Sequence, residues 1–335
     1  MSSARKIPSP PPSLIEALRM GRRVLIIGHE NPDGDSLGSS VALARALCQL
    51  GKDVTLGYRG RLYNHLLFLL DQLTSSLVEV EPSDLPKFDL MVLVDCAHPN
   101  RVWPGFSDFQ LLPPWIVIDH HPMDPPKSGP MAIYRDPKAS SSGELMFSVI
   151  QSLGAVFDQL MAEALLAALM SDTGFFSQAN ATPESLRQAS VLLAAGARSD
   201  YVVGRLKRDW TQARVKLLRL ALATMELNLS GLLSSMLISQ EMMDEAEASL
   251  DDMEGFVEYP RAMAGSEVAA LFRVDGHGHT RVSLRSTANY NVGELAASFG
   301  GGGHSQAAAY TDPSPDPAKA RESFLAQAHQ FIKPR

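Results

Sequence analysis

The sequence predicts an α/β protein in which a domain built on a parallel sheet is followed by a smaller α+β domain. Three observations carry that expectation. At 335 residues the chain exceeds the usual size of one domain. Its first half holds continuous apolar runs, Val24-Leu25-Ile26-Ile27, Leu90-Met91-Val92-Leu93-Val94 and Trp115-Ile116-Val117-Ile118, as expected of parallel strands buried on both faces. Its last third instead combines alternating, strand-like segments with a terminal helix.

In order, residues 1–12, rich in Pro and Ser, are expected to form a mobile tail. Ser13 followed by Glu16 has the spacing of a capping box, and Gly21 is placed to close the short helix it opens. A strand at 24–28, a helix at 37–50 stopped by Gly51 and a strand at 53–57 make a βαβ unit, which requires a parallel sheet. The loop inside that unit reads Gly28-His-Glu-Asn-Pro-Asp-Gly-Asp-Ser36. It puts His29, Asp33 and Asp35 at the carboxyl end of a strand, where open α/β sheets keep their ligands. An imidazole and two carboxylates at that spacing can fold around a divalent cation, and they also suit a loop whose acids cap the next helix.

The strand at 90–94 delivers Asp95, a carboxylate that is costly to bury unless paired or on a metal. Arg101 follows within reach of an anion or of solvent. Cys96 reads as buried packing, and with only Cys48 besides it no disulfide framework is expected. The strand at 115–118 ends in Asp119-His120-His121-Pro122. Adjacent imidazoles point different ways, so one can ligate a metal while the other faces substrate, with Asp119 fixing a tautomer. Beyond a Pro-rich stretch at 122–137, helices are expected at 142–153 and 159–170, and Asp172 closes the second. Thr182-Pro183-Glu184 starts another that ends near Gly196.

From Asp200 to Leu229, Arg205, Lys207, Arg208, Arg214, Lys216 and Arg219 are interleaved with apolar residues, which predicts one long amphipathic linker helix with a solvated basic face. Strands follow at 232–239, 268–274, 281–286 and 307–310, and a helix at 316–332 has Asp316 as cap. His277 and His279 lie in a Gly-rich hairpin turn and read as surface loop. The run Gly300-Gly301-Gly302-Gly303-His304 exposes backbone N–H groups with no side chains in the way, which suits close approach of a phosphate.

Together, H-x-x-x-D-x-D at His29, Asp33 and Asp35, the strand-terminal Asp95 with Arg101, Asp119-His120-His121 and Asp172-Thr173-Gly174 resemble the motifs of the DHH phosphoesterase superfamily, in its order. The glycine run with His304 resembles the GGGH-type DHH-associated domain of the nano-RNases, the bifunctional oligoribonuclease and PAP phosphatase family, and less closely the RecJ-type exonucleases. The resemblance implies a DHH metal-binding catalytic domain at 13–198, a linker helix at 199–229 and a substrate-binding DHH-associated domain at 230–335. It implies two divalent ions, one held by His29, Asp33 and Asp95 and the other by Asp35, Asp95, His120 and Asp172. Asp95 bridges them, His121 is catalytic and Asp119 supports it from behind. Arg101, Arg285, Gly301, Gly302, Gly303 and His304 would bind substrate. The two imidazoles favour Mn²⁺ over Mg²⁺, with Co²⁺ an alternative.

The function so implied is a two-metal phosphodiesterase that cuts RNA of 2–4 nucleotides to nucleoside monophosphates and removes the 3′-phosphate of 3′-phosphoadenosine-5′-phosphate. Two domains enclosing the substrate would favour short pieces. A net charge of −7 gives no broad basic footprint for long nucleic acid, and no apolar run approaches a membrane span. A cytoplasmic protein acting on short RNA and small nucleotide phosphates is therefore expected, and the resemblance implies a homodimer. Left open are action on cyclic dinucleotides or pGpG, a RecJ-like exonuclease, an inorganic pyrophosphatase, and a nucleotide sensor that does no chemistry. Two departures from the family pattern stand out: Trp103, where a small residue is expected, and Ser140-Ser141-Ser142, where Thr is commoner. Both are expected to alter the substrate cleft without touching a metal ligand.

Overall fold

Six short strands form the first sheet: β1 (Arg23–Ile27), β2 (Asp53–Tyr58), β3 (Ser76–Glu79), β4 (Leu90–Val94), β5 (Trp115–Asp119) and β6 (Ala132–Arg135). They pair only in parallel, in the order β3-β2-β1-β4-β5-β6, so the chain reverses its direction of travel across the sheet between β1 and β4. A computed structural model of the chain describes residues 7–333 apart from 72, 74, 105–111, 123–128, 209 and 288. The chain divides into two units, Met1–Asp209 and Trp210–Arg335.

In the first unit the apolar runs behave as expected of central parallel strands, buried on both faces. Val24, Ile26, Val92, Val94, Ile116 and Ile118 point into a core shared with helices α1 (Pro12–Met20), α2 (Gly34–Gln49), α3 (Ser142–Leu153), α4 (Gln159–Asp172), α5 (Pro183–Ala194) and α6 (Ser199–Arg208). The alternate residues Leu25, Ile27, Met91, Leu93, Trp115 and Val117 pack the opposite face against Val80, Leu85, Val102 and Trp103. Glycine permits the closest helix contact. A Cβ on Gly38 of α2 would lie 2.5 Å from the Ala164 carbonyl of α4.

The second unit holds α7 (Gln212–Leu222), β7 (Glu226–Asn228), β8 (Leu233–Ile238), α8 (Gln240–Ala246), α9 (Glu258–Arg261), β9 (Val268–Val274), β10 (Thr280–Ser286), α10 (Val292–Ser298), β11 (Gly302–Gly303), β12 (Ala307–Asp312) and α11 (Pro317–Ala328). Its sheet runs β11-β12-β10-β9-β8-β7 and is antiparallel except at β8–β9. Leu233 and Leu237 of β8 face a core with Phe324 of α11, while Met236 and Ile238 face Leu217, Leu218 and Phe256 on the other side. The expected α/β plus α+β organisation is thus present.

Several local expectations are corrected. Ser13 caps nothing: the first helix begins at Pro12, with Pro11 as cap residue and no side-chain cap bond. The tail at 1–12 is tied down from residue 7 on, because the Pro8 carbonyl accepts the Tyr134 hydroxyl at 2.6 Å and Ile7 packs on the core; residues 1–6 lie outside those described. The single helix expected across 199–229 is two, α6 and α7, the second started by Thr211, whose Oγ1 accepts the Arg214 N–H at 2.9 Å, and the chain then enters β7. Lys216 and Arg219 are exposed as expected of a solvated basic face, but three of the other cations lie on aromatic rings. Arg205 lies over Phe68, Lys207 over Phe175 at 3.7 Å, and Arg214 between Trp210 and Phe256, so the cations bury their stems on aromatic rings. Among the described residues no helix is long and apolar enough to cross a membrane.

Candidate active site

Around the carboxyl ends of β1, β4 and β5, where the strand order reverses, seven acidic and imidazole side chains converge. His29 follows β1 by two residues. Its Nδ1 lies 2.8 Å from the Glu30 carbonyl, which can only accept, so Nδ1 carries the proton and Nε2 turns inward, 3.5 Å from Asp95 Oδ2 and 3.9 Å from Asp33 Oδ1. Asp33 caps α2, accepting the Ser36 N–H at 3.0 Å, and still presents its carboxylate to His29, so the capping and cation-holding readings of this loop hold together. Its side chain is 55% exposed and marks the open side of the cluster.

Asp35 sits in the first turn of α2, fully buried. The N-terminus of α3 receives it: the Ser142 and Gly143 N–H groups donate to its two oxygens at 2.6 and 2.9 Å, and Ser39 Oγ adds a third bond at 3.2 Å. A helix N-terminus favours an anion, which offsets part of the burial cost. Asp95, at the end of β4, takes a left-handed backbone (φ 58°) that Asp tolerates better than most residues, and Ser142 Oγ donates to its Oδ1 at 2.9 Å. His120 repeats the His29 arrangement. Its Nδ1 faces the Ala139 carbonyl at 3.4 Å, and Nε2 lies 3.0 Å from Asp172, 3.6 Å from Asp95 and 3.9 Å from Asp35. Asp172 closes α4, and Asn180 Nδ2 ties its carbonyl (2.9 Å) to that of Ser140 (3.1 Å). His121 Nδ1 and backbone N–H both donate to Asp119 Oδ1, at 2.8 and 3.0 Å, which fixes the tautomer.

Burial and mutual charge perturb the ionisation of these groups. Burial alone would raise the Asp95 pKa, but the His29 hydrogen bond and the charges of His121, His120 and His29 hold it below the usual carboxylate range. Burial pushes Asp35 well up, and the charges of Asp172 and Asp95 push the same way. Burial lifts Asp172 to about 6, helped by Asp33 and against the His120 hydrogen bond. Burial opposes charge on His29 and His120, yet hydrogen bonds to Asp95 and Asp172 with the surrounding carboxylates raise them to about 9 and about 10. Protons on these two rings occupy the positions a divalent ion would take. His29, Asp33 and Asp95 form one group whose ligand atoms lie within 4.8 Å of one another, Asp35, His120 and Asp172 form a second, and Asp95, His120 and His121 a third. Mixed imidazole nitrogen and carboxylate oxygen, with the far nitrogens of His29 and His120 already facing backbone carbonyls, fits a hard or borderline divalent cation.

Of the remaining predicted residues, Arg101 lies beside the cluster, Nη1 3.4 Å from the Asp95 carbonyl, and its own carbonyl accepts the Glu30 N–H at 2.7 Å. In the second unit, Arg285 of β10 pairs in register with Ala307, whose carbonyl accepts the His304 N–H at 2.7 Å, so Arg285 and His304 share one region of that sheet. Two of the glycines have a packing duty: a Cβ on Gly301 would lie 2.3 Å from the Ala309 carbonyl, and one on Gly303 2.5 Å from that of Ala307. Both family departures are read differently in the structure. Trp103 is buried on the far face of the sheet with Nε1 donating to the Val80 carbonyl at 3.0 Å, away from the cluster. The Ser140–Ser142 segment, in contrast, holds Asp35 and Asp95 directly. Ser142, Gly143, Ser39 and Asn180 were missed in the sequence, where the one available signal was a serine run ahead of a helix.

Comparison with known proteins agrees with this geometry. The profile of the DHH family, N-terminal domain, matches residues 23–171, and that of the DHHA1 domain matches 232–334. The chain is 31% identical over 333 residues to the bifunctional oligoribonuclease and PAP phosphatase NrnA of Thermus thermophilus, covering 95% of each. It is 26% identical over 166 residues to the manganese-dependent inorganic pyrophosphatase of Methanothrix thermoacetophila, about half of each chain (49% and 51%). An exopolyphosphatase-related protein from Bacteroides fragilis has the same fold, with TM-score 0.85, 23% identity and 95% coverage of both chains.

Proposed function

Because the chain belongs to the DHH family of phosphoesterases, we propose that it is a two-metal phosphodiesterase that hydrolyses RNA of about two to four nucleotides to nucleoside monophosphates, and that it also dephosphorylates 3′-phosphoadenosine-5′-phosphate. The observation that carries the reading is the convergence of His29, Asp33, Asp35, Asp95, His120 and Asp172 in a chain that aligns nearly end to end with an oligoribonuclease and PAP phosphatase.

In this reading His29, Asp33 and Asp95 hold one ion, and Asp35, Asp95, His120 and Asp172 the other. Mn²⁺ is preferred to Mg²⁺ because imidazole nitrogens enter both sets. Bound there, such ions would supply a water of lowered pKa and offset the charge that develops on the phosphoryl oxygens. The protein does the rest. Ser142, Gly143 and Ser39 keep Asp35 and Asp95 aimed. Asp119 accepts the Nδ1–H hydrogen bond of His121, so that the doubly protonated ring would give its Nε2 proton to the leaving oxygen and be left neutral, with Nδ1–H still held by the buried carboxylate. Arg101 binds the scissile phosphate, and Arg285, Gly301 to Gly303 and His304 bind the substrate's other phosphate or nucleotide.

The test is a side-by-side assay with Mn²⁺ of the 5′-phosphorylated diribonucleotide pApA, 3′-phosphoadenosine-5′-phosphate, a 24-residue RNA and pyrophosphate. Release of AMP from the first two, with slow attack on the others, is expected. Preference for the long RNA or pyrophosphate would overturn the proposed substrate class.

A further inference from the structure

Beside the His29–Asp35 loop runs a segment that the chemistry above does not use, Tyr58-Arg59-Gly60-Arg61-Leu62-Tyr63-Asn64-His65. It leaves the carboxyl end of β2, the strand next to β1, with Gly57 in register with Ile27. Two backbone bonds clamp it to the loop: Asn31 N–H donates to the Arg59 carbonyl at 2.9 Å, and Arg61 N–H donates to Asn31 Oδ1 at 2.8 Å. Asn31 lies midway between His29 and Asp33 and has a left-handed backbone (φ 54°), so this clamp helps set the path of the loop. At its far end Leu66 enters the core and comes within 3.6 Å of where a Cβ on Gly34 would be. The segment therefore flanks the loop from Glu30 to Gly34, on which the exposed Asp33 carboxylate opens to solvent.

Its side chains combine a cation with aromatic rings. Arg61 lies over the Tyr63 ring, 5.8 Å from guanidinium carbon to centroid, and the Tyr63 and His65 rings are 5.9 Å apart. All three are half-buried. Arg59 of the same segment pairs with Glu79 and Glu81. A guanidinium interleaved with two rings is the composition used to bind single-stranded nucleic acid, where bases stack on aromatic faces and cations track the phosphates.

We propose that Arg61, Tyr63 and His65 form a nucleobase subsite for the nucleotide that flanks the hydrolysed phosphate, with the base stacked on the Tyr63–His65 rings and Arg61 facing the backbone. This inference rests on the oligonucleotide reading and adds to it the residues that would recognise the substrate's base. Its test compares kcat/KM for pApA with kcat/KM for the same dinucleotide made abasic at one nucleotide or the other. In the wild type, loss of the base at one of the two positions is expected to cost about tenfold or more, the size of one base–aromatic stack. In Tyr63→Ala that preference collapses toward one, and in Tyr63→Phe it is retained. If Tyr63→Ala does not fold, Arg61→Gln and His65→Ala decide, each being expected to lower kcat/KM for pApA severalfold. A wild type indifferent to both abasic changes, a Tyr63→Ala enzyme that keeps the preference, or unchanged pApA kinetics in both fallback variants overturns the subsite alone. Failure of the wild type to cleave pApA overturns the function reading, and the subsite with it.

Discussion

Replacing Ser142 by Ala deletes one buried hydroxyl and should cost the enzyme much of its metal affinity. Ser142 Oγ donates to Asp95 Oδ1 at 2.9 Å with both groups buried, and the backbone N–H of the same residue holds Asp35. The variant keeps the N–H and loses the donor to Asp95. A hydrogen bond to a charged group contributes about 1.5–3 kcal/mol. If metal binding requires Asp95 in this orientation, that loss corresponds to about a 10- to 150-fold weaker metal constant, similar to the effect of removing a group that orients a ligand. Calorimetric titration of EDTA-treated protein with Mn²⁺ measures it, and Ser142→Thr, which keeps a hydroxyl, should recover most of the affinity. Mn²⁺ affinity in Ser142→Ala within about threefold of wild type, well short of the expected loss, would refute the idea that this hydroxyl positions the bridging carboxylate.

The pH dependence of the metal-free protein follows from His29 and His120. Their folded pKa values of about 9 and about 10 lie above the ordinary 6.5, so the stability they contribute is complete below pH 6.5 and is lost as pH climbs through 9 and 10. Thermal unfolding of EDTA-treated protein should therefore drop in temperature across that window, while Mn²⁺ affinity rises from pH 6.5 to 8.5 because the ions displace those protons; affinity flat with pH would contradict it. Gly143→Ala puts a methyl 2.7 Å from Ala168 Cβ and 3.3 Å from Asp35 Oδ1, so α3 must back away from α4. A loss of about 1–3 kcal/mol in urea unfolding is expected, together with impaired metal binding. Trp103→Phe removes the donor to the Val80 carbonyl on the far face of the sheet, at about 1–3 kcal/mol of stability. Its kcat should stay near the wild-type value, and a large fall would mean that Trp103 does reach the substrate.

The sequence displayed the parts of this protein that depend on near neighbours. Asp95 and the Asp119-His120-His121 triplet were legible because acids directly behind buried apolar runs have few structural uses. Strands β3 and β6 were not: Ser76–Glu79 is an exposed edge strand with no burial pattern to read, and Ala132–Arg135 lies within a Pro-rich stretch. The break between α6 and α7 was hidden because both helices bury apolar residues at compatible spacing, and only Thr211 marks the restart. The role of Ser142 was not legible for a different reason. Its partners Asp35 and Asp95 lie 107 and 47 residues away, and no local pattern distinguishes an ordinary serine in the first turn of a helix from one that holds buried carboxylates across the fold.

The most direct test of the account is metal content per chain, measured by elemental analysis after Mn²⁺ loading and desalting, in wild type and Asp95→Asn, with pApA turnover followed on the same samples. Asp95 faces His29 at 3.5 Å and His120 at 3.6 Å, which is the basis for proposing that it serves both candidate ion sites. Two Mn²⁺ ions per wild-type chain are expected, with both depleted and turnover lost in Asp95→Asn while the fold persists. An Asp95→Asn protein that keeps two ions and normal turnover would contradict the bridging role on which the whole site rests.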